Sequence, residues 1–156
     1  MKARILAALL CAALLLTGCP PPRSLTIYNN TGQELIVNTV GKKVAWNPAS
    51  TIEISDKGPL RWNDIQWVSD TSGGTFPTLE IQFAQARALR YRLAGATVPE
   101  AYLDRSTGEV RMRFQLQPDL KLYAVRANAP FPVDVGASQP PGFPIEPIEQ
   151  KSAHDA

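Results

Sequence analysis

The sequence predicts an all-β domain, an antiparallel β-sandwich or small barrel. Three observations carry this. Apolar and polar residues alternate with period two from Ser24 to Arg126, the mark of strands with one wet face. Clusters of Asn, Gly, Pro and Asp interrupt the alternation every few residues, as strand-to-strand turns require. Neither heptads nor internal repeats compete with the pattern. Eight or nine short strands at regular spacing bury one face each, and two layers or a closed sheet satisfy them all.

Taken in order, Leu25 and Ile27 alternate with Thr26 and Tyr28. Asn29-Asn30-Thr31-Gly32 then turns the chain into Glu34 to Val40, because Asn and Gly tolerate positive φ. Val44 to Trp46 is a short segment that ends at Asn47-Pro48, and Thr51 to Ile54 alternates cleanly before the turn Asp56-Lys57-Gly58-Pro59. Arg61 to Val68 fits a strand with a bulge. Beyond Ser72-Gly73-Gly74, Leu79, Ile81 and Phe83 face one way with Glu80 and Gln82 opposite. Leu89, Tyr91 and Leu93 repeat this against Arg90 and Arg92. Ala84, Ala86 and Ala88 would suit a helix, but two strands joined by a turn fit residues 83–93 better. Ser106-Thr107-Gly108 reads as a hairpin loop between Tyr102-Leu103 and Glu109-Val110. The longest set is Val110, Met112, Phe114 and Leu116, with Arg111, Arg113 and Gln115 on the wet face. Gln117-Pro118-Asp119 turns into Leu120 to Val125. The domain therefore spans 24–127. From 128 to 156 six prolines crowd the chain, at 130, 132, 140, 141, 144 and 147. Proline cannot sit in a central strand, so this tail is expected to be extended and largely disordered.

The N-terminus has a different character. A cationic head (Lys2, Arg4) precedes an apolar run from Ile5 to Leu16, which ends in Leu16-Thr17-Gly18-Cys19. The run is shorter than the roughly 20 residues a transmembrane helix needs and has the anatomy of a secretory signal. Leu-Thr-Gly-Cys resembles the lipobox of bacterial lipoprotein precursors. The resemblance covers residues 1–19 and implies that residues 1–18 are removed and that Cys19 becomes the acylated first residue. It also implies sorting to the outer membrane, facing the periplasm, because Pro20 stands where an Asp favours inner-membrane retention. Several acyl chains make such an anchor stable. Pro20-Pro21-Pro22 favours a stiff polyproline II spacer, so residues 19–23 form a short tether. In broad plan the chain is similar to small β-sandwich envelope lipoproteins, without their particular motifs.

Composition narrows the chemistry. Of the two cysteines, Cys11 leaves with the signal and lipidation uses Cys19, so no disulfide or thiol nucleophile is expected in the domain. The formal charge of +2 resides in Lys2 and Arg4. The chain from Cys19 onward is balanced, which removes the electrostatic footprint of nucleic-acid binding. The only histidine, His154, lies in the tail, where a catalytic base could not be held rigidly. No enzyme activity, metal or cofactor is expected. Glu53, Glu80 and Glu109 fall on outward phases, and Asp70-Thr71-Ser72-Gly73 reads as a loop.

Two groups have binding potential. Trp46, Trp62 and Trp67 would form a platform for glycan or peptidoglycan if exposed together, although such residues commonly fill a core. Arg90, Arg92, Arg111 and Arg113 would line one face if Ala88–Leu93 paired with Val110–Leu116. That face would suit an acidic partner, since Arg binds bidentate acceptors well. The expected role is a membrane-anchored binding or scaffold module for an envelope protein or cell-wall glycan. A weak hydrolase is the more distant alternative.

Overall fold

The computed structural model describes residues 23–69, 75–83, 88–93, 98–106, 108–136 and 138–149. Within these the alternating segments become strands: β1 (Arg23–Asn29), β2 (Leu35–Thr39), β3 (Lys42–Trp46), β4 (Thr51–Ile54), β5 (Gln66–Ser69), β6 (Thr75–Gln82), β7 (Ala88–Arg92), β8 (Val110–Leu116), β9 (Leu122–Ala124) and β10 (Ile148–Glu149). The segment expected to be a signal, Cys19, and Pro20 to Pro22, expected to form a tether, lie outside the described residues.

Two sheets pack as a β-sandwich, the predicted class. One has four strands in the order β4-β1-β8-β9. The other has six, in the order β10-β7-β6-β2-β3, with β5 pairing along the first half of β6. The ladders are antiparallel except β1–β8, which is parallel with Leu25 opposite Met112 and Ile27 opposite Phe114. A parallel pair needs a long crossover rather than a hairpin, and here the crossover contains most of the second sheet. The inward phases of the alternation form the core. Leu25, Ile27, Leu35, Val37, Leu79, Ile81, Leu89, Tyr91 and Leu116 are all essentially inaccessible to solvent. Tyr91 reconciles its hydroxyl with burial by donating to the Leu120 carbonyl at 2.8 Å.

Two local expectations change. The single strand expected over Arg61–Val68 is a 3-10 turn at Trp62–Asp64 followed by β5. Asp64 Oδ2 accepts from the Arg61 amide at 2.9 Å and so satisfies a turn donor locally, an alternative that favours the turn over the strand ladder. The hairpin expected around Ser106-Thr107-Gly108 is reduced to one antiparallel bridge, Asp104 to Arg111, after a 3-10 turn at Glu100–Tyr102. In the ambiguous stretch 83–93, β7 forms as expected from Ala88 to Arg92, and residues 84–87 lie outside the described part.

The largest difference concerns the tail. Residues 128–136 and 138–149 form little regular structure before β10, but they are not free of the domain. Phe131 stacks on Tyr28 with ring centroids 5.1 Å apart. The Gln115 carboxamide brackets Val133, donating to its carbonyl at 2.9 Å and accepting from its amide at 3.0 Å. Gln139 does the same for Ala124, accepting from its amide at 2.8 Å and donating to its carbonyl at 3.3 Å. Leu122 and Ile145 then exchange two backbone hydrogen bonds, at 3.0 and 2.8 Å. Phe143 meets Phe114 edge-on at 5.0 Å. Finally β10 joins the six-stranded sheet, with Ile148 opposite Arg90. The tail thus covers the outer face of the four-stranded sheet, pairs with its β9 edge and reaches the β7 edge of the other sheet. Proline content forbids a central strand, but not a strap held by side-chain amides, rings and a few backbone contacts.

Candidate functional site

β1 starts at Arg23, four residues beyond Cys19, so the end of the sandwich where β1 begins would be the tethered end if Cys19 carries the expected anchor. Several loops return to it. The two-residue turn Val40-Gly41 joins β2 to β3, and Gly41 takes the positive φ of 84° that this tight reversal needs. The Val40 amide donates to the Asp64 carbonyl at 2.7 Å. Lys42 Nζ reaches both Asp64 Oδ2 and the Pro59 carbonyl at 3.0 Å. Trp62 Nε1 donates to the Arg23 carbonyl at 2.8 Å, which fixes the indole beside the point where the chain enters. The Arg61 amide and the Lys42 ammonium together hold the Asp64 carboxyl below its ordinary range. Arg23, Lys42, Lys43, Lys57 and Arg61 are exposed at this end, and Val40 is 59% exposed.

Among the described residues the opposite end is neutral to acidic. Asn29, fully buried, donates from Nδ2 to the carbonyls of Gln33, Trp46 and Asn47 and so ties the 30–34 turn to the end of β3. Glu34 and Asp119 lie in the loops there, and Glu146 is paired with Lys121 at 2.7 Å.

The arginine face is not formed. Its condition was pairing of Ala88–Leu93 with Val110–Leu116, but β7 and β8 belong to different sheets. Arg90 bonds Glu80 at 2.8 Å on the six-stranded sheet, where Asn38 holds the other carboxylate oxygen at 3.0 Å. Arg92 is exposed further along the same strand. On the other sheet, Arg111 pairs with Glu109 at 3.2 Å. Arg113 donates to the carbonyls of Ala127 and Ala129, and its guanidinium lies 4.2 Å from the centroid of Phe131. Partial burial lowers its pKa from the ordinary arginine value. It is a clasp for the start of the tail.

Of the three tryptophans expected as a platform, Trp46 is withdrawn from any surface by burial. Trp46 is 2% exposed and belongs to the core, with Nε1 donating to the Ser50 carbonyl at 3.2 Å. Trp62 is half-buried against the core at the tethered end. Trp67 is opposite Pro77 in the β5–β6 ladder, and its side chain lies outside what the structure describes.

For acid–base chemistry, Glu53, Glu80 and Glu109 are spread over both sheets, on or next to β4, β6 and β8. Among the described residues no group of three or more His, Cys, Asp or Glu is placed to hold a metal ion. No described helix is long and apolar enough to cross a membrane.

Sequence reasoning missed the residues that hold the tail: Gln115, Phe131, Gln139 and Phe143. The available signal was weak. Gln115 stood in the polar phase of β8, and only its complete burial reveals the covering segment. The chain was compared with family models, curated proteins and solved structures, and none of the three gave a match.

Proposed function

We propose that this chain is a bacterial envelope lipoprotein, anchored through lipid on Cys19 at the outer membrane and facing the periplasm. In this reading it serves as a non-enzymatic binding or scaffold module. The observation that carries the reading is Leu16-Thr17-Gly18-Cys19 at the end of a short apolar run, four residues ahead of a disulfide-free sandwich. Mature lipoproteins of this kind need a small domain that folds beside a membrane, and the sandwich with its strapped tail supplies one. The separation of the four arginines and the burial of Trp46 weigh against the arginine face and the tryptophan platform as binding surfaces.

The test is intact-mass analysis of the native protein with fractionation of its membranes. The expected product starts at acylated Cys19 and sediments with outer membranes, whereas Cys19→Ser is neither acylated nor retained there. A product that keeps residues 1–18, or a Cys19→Ser variant that still fractionates with the membrane, would overturn the anchor. Crosslinking in cells then tests the scaffold role, which fails if the native protein captures no envelope component.

A further inference from the structure

The two ends of the sandwich differ in charge and in distance from the anchor. At the tethered end Arg23, Lys42, Lys43, Lys57 and Arg61 stand against Asp56 and Asp64. Arg105 and Arg111, nearby, are already paired with Glu100 and Glu109, and the Asp104 carboxylate accepts from the Ser106 amide at 2.9 Å. At the far end Glu34, Asp119 and Glu146 face Lys121. The tethered end also carries Val40, one of two large hydrophobic residues exposed among those described, and Trp62, whose indole nitrogen is fixed to the backbone of Arg23. An exposed aliphatic residue, a half-buried indole and a ring of basic side chains together suit a membrane–water interface.

Chain length adds a constraint. Arg23 is the fourth residue after Cys19, and a fully extended chain spans at most about 3.5 Å per residue, so Arg23 lies within about 14 Å of a lipidated Cys19. Any bilayer that holds Cys19 is therefore within reach of this end.

The geometry points to the tethered end as a docking surface for anionic phospholipid headgroups. Lys57 and Arg61 would contact phosphates, Val40 and Trp62 would sit at the interface, and the domain would stand with Asn29 and the 117–121 turn pointing away from the membrane. The inference rests on the anchor at Cys19 proposed above. It adds an orientation and a lipid preference that an anchor alone does not require.

The test uses the full lipidated protein in vesicles of phosphatidylethanolamine with phosphatidylglycerol, and in vesicles of phosphatidylcholine alone, with amide hydrogen exchange as the readout. Each basic residue near an anionic surface strengthens binding about fivefold. Exchange in segments 40–43 and 57–62 should therefore slow in the anionic vesicles by about that factor or more, while segments 30–34 and 117–121 stay unchanged. The double variant Lys57→Glu/Arg61→Glu should lose this protection, as should the native protein at high salt, where the screening length shrinks to a few Å. Both side chains are exposed, and an unchanged thermal melt of the variant in detergent confirms that it folds. Equal exchange in both vesicle types, protection at the far end instead, or protection that survives the double substitution overturns the inference. The intact mass of the same sample reads acylation of Cys19 separately. An acylated protein without protection leaves the anchor standing and removes only the docking, whereas an unmodified Cys19 removes both.

Discussion

The outer faces of the two sheets have similar polar sequences and opposite fates. On the four-stranded sheet, Gln115 is completely buried and Tyr28 is 8% exposed, because the tail lies across them. On the six-stranded sheet, Glu80 and Arg90 form an ion pair whose side chains keep 16% and 34% of their exposure. Asn38 completes that network. One face is held mostly by carboxamides, aromatic rings and backbone groups in partly buried contacts, with the Arg113 guanidinium among them. The other is held by charges that remain partly solvated. A hydrogen bond whose loss strands a buried partner costs far more than an ion pair that water can replace. The two faces should therefore differ sharply in how much of the fold depends on them.

The most direct way to break the comparison is to remove the tail. Ending the chain after Ala127 uncovers Tyr28 and Gln115, frees the β9 edge at Leu122 and Ala124, and deletes β10. Phe143 and Ile145 are partly buried against the core, as Phe131 is against Tyr28. Burying such side chains fully is worth roughly 1.5–3 kcal/mol each, so losing them at partial burial costs on the order of 5 kcal/mol. That is comparable with the whole stability of many domains. The truncated protein should melt more than about 10 °C lower, and its exposed β7 and β9 edges should promote association. A chain ended after Glu149 keeps these contacts and should melt with the full chain. If the two truncations melt together, the tail is a passenger and the distinction between the faces disappears.

A single residue on each face sharpens the contrast at smaller scale. Gln115→Leu keeps the volume but leaves both backbone groups of Val133 without a partner, at about 1–3 kcal/mol for each buried group. Urea denaturation should show a loss of roughly 2–4 kcal/mol. On the other face, a double-mutant cycle for Glu80→Gln and Arg90→Gln should give a coupling of only about 0.2–1 kcal/mol. A Gln115 variant as mild as the Glu80–Arg90 coupling would mean that water replaces the tail contacts freely.

The same contrast explains what could be read from the sequence. The segments Leu79–Phe83, Leu89–Leu93 and Val110–Leu116 were legible because alternation reports directly which side of a strand meets the core. Which strands pair was not, since period two says nothing about neighbours distant in the chain. Arg90 and Arg113 therefore had the same apparent phase and end on different sheets. The tail was illegible for a further reason. Its contacts rely on two glutamine carboxamides and on main-chain atoms, which have no periodic signature, while its prolines share the composition of disordered segments. Gln115 looked wet because polarity in a sequence cannot distinguish solvent from a satisfied buried partner. The resemblance of Leu16-Thr17-Gly18-Cys19 to a lipobox rests on the motif alone and owes nothing to the fold.

Acid provides the gentlest test of the distinction. The contacts of the tail with Gln115 and with Ala124 involve no titrating group. By contrast Asp64, at the tethered end, has its pKa lowered from the ordinary 3.8 by the Arg61 amide and by Lys42. A depressed folded-state pKa means that the unfolded chain takes up the proton first as pH falls. The stabilisation from Asp64 is thus complete above about pH 5, declines as pH falls past 3.8, and is gone below the folded-state value. Melting temperatures of the native protein should be level above that range and fall below it, while Asp64→Asn should start lower and show a shallower acid decline. The Val133 amide, followed by NMR at pH values where the protein remains folded, should keep its bonded chemical shift throughout. If the Val133 signal moves with the Asp64 titration, the two regions are coupled, and the strap is not the independent element that its contacts describe.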